Sequence, residues 1–332
     1  MKRNWLIFLA VTTLVLLLFL IDLLSGSAAI SLSDVLKALS GGDVPDSVGT
    51  VVLNIRLLKA LAALLAGAAL SVSGLQMQTL FRNPLAGPYV LGVSSGASLG
   101  VALFILGIPF LSPSIGQVVS SLGMAGAAWA GAALVLALVA SLGRRIKDIM
   151  VILILGMMLS CGVDAFVQVL QYVSNEQALK AFVLWTMGSL ANVTYPQIII
   201  LSVALAFGLM LSVISCKSLN MLLLGEDYAR SMGMNVRTSR NVLFLSTVLL
   251  SGSVTAFCGP VGFIGLAVPH VARALMRSAD HRLLIPSSAL LGSAALLFCD
   301  IVSKQFALPI NSITSLLGIP LVLWIVLKHK SI

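Results

Sequence analysis

Leu222-Leu223-Leu224-Gly225-Glu226-Asp227-Tyr228-Ala229-Arg230-Ser231-Met232-Gly233-Met234-Asn235 forms the core of a polar stretch, Lys217–Arg240, set between long apolar runs. The pattern predicts a short helix ending at Gly233, where glycine supplies a left-handed stop. Asn235 can then cap a second helix. A passive pore has no need of such an element. A pore driven by a separate machine at one membrane face does.

The flanking runs set the fold class. The chain has 332 residues, 59% hydrophobic and only 9% charged. Soluble domains carry about 25% charged residues. Mean hydropathy is +1.09, which marks an all-α polytopic membrane protein. Apolar windows fall near 5–24, 57–81, 89–110, 117–142, 149–172, 196–215, 241–258, 261–276, 284–302 and 308–327. They predict ten transmembrane helices in one compact bundle, a single transmembrane domain over 1–332. Runs of this length exclude the alternating strands of a membrane barrel. The first run is longer than a signal-peptide core, so it reads as a retained helix. The amphipathic segment 176–191 is too short to span and reads as a short outer-face helix.

Lysine and arginine set the orientation. With the N-terminus inside, 15 of the 20 cations fall on the cytoplasmic side, leaving Lys37, Arg56, Lys59, Lys180 and Lys304 outside. This bias predicts both termini, and 217–240, in the cytoplasm. It also accounts for the net charge of +9 without nucleic acid, since no basic stretch is interleaved with aromatics. Cys161, Cys216, Cys258 and Cys299 lack metal or redox spacing and read as small core residues. The three histidines are scattered, so neither a metal nor a cofactor is expected.

Small residues line two helices. Gly67, Ala68, Ser71 and Gly74 share one side of the second helix, and Gly123, Gly126, Ala127 and Gly131 recur along the fourth. Such stripes let backbones approach closely. Gln76 and Gln78 are costly against lipid, which places the second helix in the interior. Asp164 is a mid-helix acid and so a functional candidate, the alternative being that it faces a water-filled cavity or pairs with a neighbouring helix. Asp22 sits near a helix end, and Asp300 can pair with Lys304 one turn later. No chain of acids suits a proton relay.

The connection after the second helix reads Arg82-Asn83-Pro84-Leu85-Ala86-Gly87-Pro88-Tyr89-Val90-Leu91-Gly92-Val93-Ser94-Ser95-Gly96-Ala97. Its prolines and glycines force irregular backbone at membrane depth, tolerated only when buried in protein or lining a wet cavity. The Asn-Pro-Leu-Ala-x-Pro…Leu-Gly-x-Ser-x-Gly-Ala pattern resembles the FecCD family, the permease subunits of ABC importers for iron–siderophore complexes, haem and cobalamin. Arg56-Leu-Leu-Lys59, Gly259-Pro-Val-Gly-Phe-Ile-Gly-Leu-Ala-Val-Pro-His270, Asp280-His281-Arg282-x-Leu-Ile-Pro286 and Leu308-Pro309-Ile310 match further family segments in order. The resemblance covers essentially the whole chain.

The resemblance implies a multi-pass subunit of the cell's inner (plasma) membrane. It implies a second permease subunit, a homodimer in the simplest form, two cytosolic ATPase subunits and a periplasmic or surface substrate-binding protein. It assigns ATPase coupling to Leu222, Gly225, Glu226, Asp227, Ala229, Arg230 and Gly233, with Ala229 and Gly233 allowing a close approach. It assigns binding-protein docking to Arg56, Lys59 and Lys304, and an inner gate to Asn83, Pro84 and Leu85. The chain departs from the family at Leu58, where proline is usual, and at Lys59, which gives a point charge in place of arginine's fork.

The chain carries no Gly-x-x-x-x-Gly-Lys-Ser/Thr phosphate loop. ATP is therefore hydrolysed by a separate chain, and no catalytic residue is expected. An iron complex, siderophore or haem, is the expected cargo, with cobalamin the alternative. An ion-coupled secondary transporter would favour paired acids in broken helices, and an embedded enzyme would need clustered polar groups. Bare-metal permeases lack the Asn-Pro-Leu-Ala pattern.

Overall fold

In the computed structural model, residues 2–26, 28–107, 121–143, 146, 148–191 and 193–329 are described. The principal helices are α1 (Lys2–Leu24), α2 (Leu32–Ser40), α3 (Asp46–Leu80), α4 (Val93–Gly107), α5 (Ser121–Gly143), α6 (Ile149–Val173) and α7 (Glu176–Thr186). They continue with α8 (Tyr195–Ile214), α9 (Cys216–Leu222), α10 (Glu226–Ser231), α11 (Val236–Cys258), α12 (Ile264–Met276), α13 (His281–Phe306) and α14 (Ile310–His329). Among the described residues there is no strand.

Each apolar window holds a helix. Seven are long and apolar enough to cross a membrane: α1, α3, α5, α6, α8, α11 and α13. The apolar parts of α4, α12 and α14 are shorter. Parts of the windows 89–110 and 117–142 lie outside the described residues. The second span begins earlier than its apolar window, at Asp46, and passes through a wider π-helical turn at Val51–Arg56. Helix α2 was not visible as an apolar run. Ser31 caps it by accepting the Asp34 backbone N–H, and left-handed Gly41 stops it.

The core forms around α3, which lies against α13, α12 and α8. The small residues of α3 explain this. Side chains at Gly67 and Gly74 would collide with the backbone carbonyls of Gly292 and Gly265. Ser293 Oγ closes the same seam by donating to Leu64 O at 2.8 Å. The α4–α5 pair repeats the device, with Gly131 against Gly96 and Ala127 against Gly100. Two residues of the expected α5 stripe do not take part: Gly126 faces open space and Gly123 meets the Phe104 ring.

Irregular backbone packs on irregular backbone. The turn Pro88–Leu91 meets the break at Gly259–Phe263, where the Tyr89 hydroxyl donates to Val261 O. Asn311 Oδ1 accepts from Gly262 N at 3.0 Å. Backbone groups freed by both breaks thus find partners inside the protein, as membrane depth demands.

The two ends of the bundle are distinct. At one, Arg3 donates to Met276 O at 3.1 Å, Thr79 meets His281, and the 217–240 segment is joined on. At the other, the ends of α1 and α13 meet the start of the apolar part of α3, beside the 186–191 turn and the start of α14. The segment 176–191 therefore lies at the end opposite 217–240.

One reading of the cysteines is corrected. Cys258 and Cys299 are buried and Cys216 is half-buried, but Cys161 is exposed on α6. The outward face of α6 is largely apolar, so composition gave no warning.

Candidate functional site

The polar segment is built much as its sequence requires. After α9, Gly225 takes φ +109, a conformation closed to most side chains, and starts α10. Gly233 takes φ +82, with Gly233 N donating to Arg230 O and Met234 N to Ala229 O. This satisfies the last carbonyls of α10. Asn235 Oδ1 then accepts from Thr238 N at 3.1 Å and starts α11.

The resemblance-assigned coupling residues separate by burial. Leu222, Gly225 and Ala229 face the bundle, and Ala229 is fully buried. The expected close approach of a partner through Ala229 is therefore corrected: its methyl packs within the chain, and only Gly233 of the pair is exposed. Glu226 is a brace, its carboxylate receiving Arg240 Nε at 3.0 Å and Nη2 at 2.6 Å, with Arg230 3.5 Å away. Asp227 and Arg230 point outward. Three residues that sequence reasoning missed, Leu224, Tyr228 and Met232, are each more than half exposed. The available signal was that three large apolar side chains recur within a segment otherwise polar; Leu224 precedes the Gly225 break, and Met232 follows the last residue of α10.

The segment is seated on the bundle by a hydrogen-bonded chain. Asn220 Nδ2 donates to Asp280 Oδ1 at 2.7 Å, and Asn220 Oδ1 receives His281 N at 2.9 Å and Nδ1 at 2.7 Å. His281 Nε2 is then the acceptor for the Thr79 hydroxyl, 2.8 Å away at the end of α3. The Arg282 backbone N–H, followed by the Asn220 amide, holds the Asp280 carboxyl below its usual range.

The turn carrying Asn83, Pro84 and Leu85 lies beside this chain. Arg82 takes φ +47, and Asn83 Oδ1 accepts from Leu85 N at 2.9 Å, closing an Asx turn. His270, on α12, donates from Nε2 to Pro84 O at 2.8 Å. Asn83 thus shapes the turn, while Leu85 is exposed. A cavity of about 250 Å³ joins the turn to the segment, lined by Gln78, Thr79, Arg82, Pro84, Leu223 and Arg273.

At the opposite end the structure brings Arg56, Lys59 and Lys304 together. Lys304 Nζ lies 2.8 Å from Asp22 Oδ1 and 3.0 Å from Asp300 Oδ2, and donates to Asp22 O at 3.1 Å. Lys59 Nζ lies 3.2 Å from Asp300 Oδ1. Arg56 Nη1 donates to Leu23 O and Leu24 O, both at 3.0 Å, and Nη2 to Ala28 O. Both aspartates are fully buried. The local Asp300–Lys304 pair read from sequence is thus part of a larger group. Removing one member of a buried pair costs about 3–5 kcal/mol, because the other charge is stranded.

A family model, the FecCD transport family, matches residues 14–328. The chain belongs to the FecCD transport family. It is 38% identical over 323 residues to the hemin transport system permease protein HmuU of Yersinia pestis, covering 95% of each chain. It is 38% identical over 335 residues to the vitamin B12 import system permease protein BtuC of Shigella boydii, covering 98% of this chain and 96% of that one. A solved structure described as a metal-chelate type ABC transporter in an inward-facing conformation matches with a TM-score of 0.82 at 30% identity, covering 98% of this chain and 99% of that one. PsaBC from Streptococcus pneumoniae shares the fold, with a TM-score of 0.60 at 18% identity. This FecCD member is the permease subunit of an ATP-driven ABC importer, a multi-pass protein of the cell's inner membrane and not itself an enzyme. Such permeases work with ATPase and substrate-binding partners.

Proposed function

We propose that the chain is one half of the transmembrane pathway of an importer for iron complexes, siderophore or haem. Two copies would pair, with two ATPase subunits beneath and one substrate-binding protein above. Cobalamin is the alternative cargo, supported by equal 38% identity to the haem and vitamin B12 permeases. In this reading residues 1–332 form a single permease domain with ten crossings, and the end carrying both termini and 217–240 faces the cytoplasm.

The observation that carries the coupling reading is the group of exposed apolar side chains Leu224, Tyr228 and Met232 beside Asp227 and Arg230. An exposed apolar group with a charged edge suits a cleft on a partner protein. The braces at Glu226–Arg240 and Asn220–His281 support rigid motion of this segment with α9, α11 and α13. Closure of the ATPase dimer on ATP would move the segment, and the adjoining cavity would carry the motion to the Asn83–Leu85 turn. The loaded binding protein would dock over Arg56, Lys59 and Lys304.

Pairing is supported by α6. Its Met157, Cys161, Asp164, Gln168 and Tyr172 share one exposed face. A carboxylate facing lipid is costly, so a water-filled pathway shared with a second copy suits this face better.

The test is reconstitution in liposomes with the system's own ATPase and binding protein. ATPase stimulation and uptake are compared for ferric siderophore, haem and cobalamin. Stimulation by one of them, abolished by vanadate, is the expected result. Uptake that follows an ion gradient and is abolished by a protonophore would overturn the reading.

A further inference from the structure

The cavity of about 250 Å³ between the Asn83–Leu85 turn and the polar segment is lined by two arginines, Arg82 and Arg273, and among the described residues by no carboxylate. Within those residues no ion pair reaches either guanidinium. The acids of this end are engaged elsewhere. Asp280 receives Asn220 and the Arg282 backbone, Glu226 receives Arg240 and Arg230, and Asp227 points outward.

Arg273 is half-buried in the last turn of α12, and its Nη1 donates to Gln78 Oε1 at 2.6 Å. Gln78 is buried, and its own Nε2 donates to Leu266 O at 2.9 Å. A neutral amide therefore fixes the guanidinium in place and leaves its charge uncompensated. Guanidinium carries five N–H donors, and this bond uses one. A cation drawn out of water without a counter-charge is costly. Arg82 stands on another wall, where its backbone N–H donates to Thr79 O at 3.2 Å and its φ is +47. Glycine or asparagine closes a helix in that conformation at lower cost. What arginine adds at this position is its side chain. That side chain reaches across to the polar segment, since a Cβ at Gly225 would lie 3.5 Å from Arg82 Nη1.

We infer that this cavity binds a small oxyanion, a carboxylate or phosphate group, between Arg82 and Arg273. The planar fork of each guanidinium matches either group. Water occupies about 30 Å³ in the liquid, so the cavity holds one such group with its nearest waters and no whole metal chelate. Once bound, the oxyanion bridges the end of α3 to α12 beside the Asn83–Leu85 turn and supplies the missing counter-charge. Two sources share this chemistry. One is the phosphate of an anionic lipid, for which basic pockets between helices at the cytoplasmic face are suited. The other is a carboxylate of the cargo as it leaves the pathway. The site stands on its own geometry, and only the cargo source rests on the importer reading.

The test uses the full chain in phosphatidylcholine nanodiscs, with inorganic phosphate as the first probe and chloride at matched ionic strength as the control. Melting temperature should rise with phosphate and saturate, with no such rise in chloride. Arg82→Gln and Arg273→Gln should each abolish the rise. Without phosphate, Arg273→Gln should melt no lower than wild type, because the cation it removes has no carboxylate partner. A purely structural role for the Arg273–Gln78 bond predicts the reverse, a lower melting temperature with the phosphate response intact. Arg82 is exposed, so Arg82→Gln keeps the test open if Arg273→Gln does not fold. Phenylglyoxal, which modifies guanidinium groups, gives a second readout by mass spectrometry. Phosphate should slow modification of Arg82 and Arg273 tenfold or more and leave the exposed Arg237 and Arg282 unchanged. Two further arms separate the sources. Protection in phosphatidylglycerol nanodiscs without added phosphate assigns the site to lipid. Protection by haemin in phosphatidylcholine, absent with haemin dimethyl ester, assigns it to cargo carboxylates. No saturable phosphate response, equal protection of all four arginines, or protection only when the ATPase is bound overturns the inference.

Discussion

At the scale of single residues, the charge buried in this protein is structural. Glu226 is acidic and sits in the segment assigned to ATPase coupling, yet its oxygens are taken by Arg240 of the same chain. Glu226→Gln should remove about 1.5–3 kcal/mol of charge-assisted bonding. Hydrogen exchange over 226–240 should then quicken by roughly tenfold or more, and an unchanged rate would show that the brace carries no weight. Gly233 shows how much can be read locally. A glycine after a short helix, followed by an N-cap residue, already dictates a left-handed stop, and φ is +82. The tie from Lys304 to Asp22 spans 282 positions. No local pattern encodes a contact of that separation.

At the scale of elements, small residues set how close helices lie, and exposed faces say where partners are needed. Gly67→Val should cost on the order of 3 kcal/mol or more, because its side chain would strike the Gly292 carbonyl and backbone cannot give way as a side chain can. Thermal unfolding in detergent checks this, with Gly126→Ala, which faces open space, as the neutral comparison. Cys161 offers a second test, since it is the exposed cysteine among four. If the Asp164 face of α6 lines a wet pathway, a membrane-impermeant maleimide should label Cys161 in liposomes. Protection throughout the transport cycle would place that face in lipid or in a dry interface. At α10 and the turn that follows it, Gly233→Trp and the pair Tyr228→Ala/Met232→Ala should each abolish transport-coupled ATPase activity while leaving membrane insertion intact. Normal coupled activity in both would remove the coupling assignment.

At the scale of the whole molecule, the chain by itself is incomplete as a transporter. It has no phosphate loop, and α6 exposes an acid at membrane depth. In mild detergent it should run as a pair of 34.7 kDa chains and hydrolyse no ATP alone, which light scattering and a phosphate-release assay will check. A monodisperse monomer would count against pairing through α6. Sequence alone determined the membrane class, the ten apolar windows, the family pattern at Asn83–Ala97 and the stop at Gly233. These depend on composition, periodicity and local backbone chemistry, all of which act over a few residues. Tertiary structure alone decided that Ala229 faces inward, that Cys161 faces outward, and that Arg56 and Lys304 are spent on α1. Those outcomes turn on which face of a helix meets which neighbour, and in a bundle with apolar residues all round, the sequence of one helix does not specify that face.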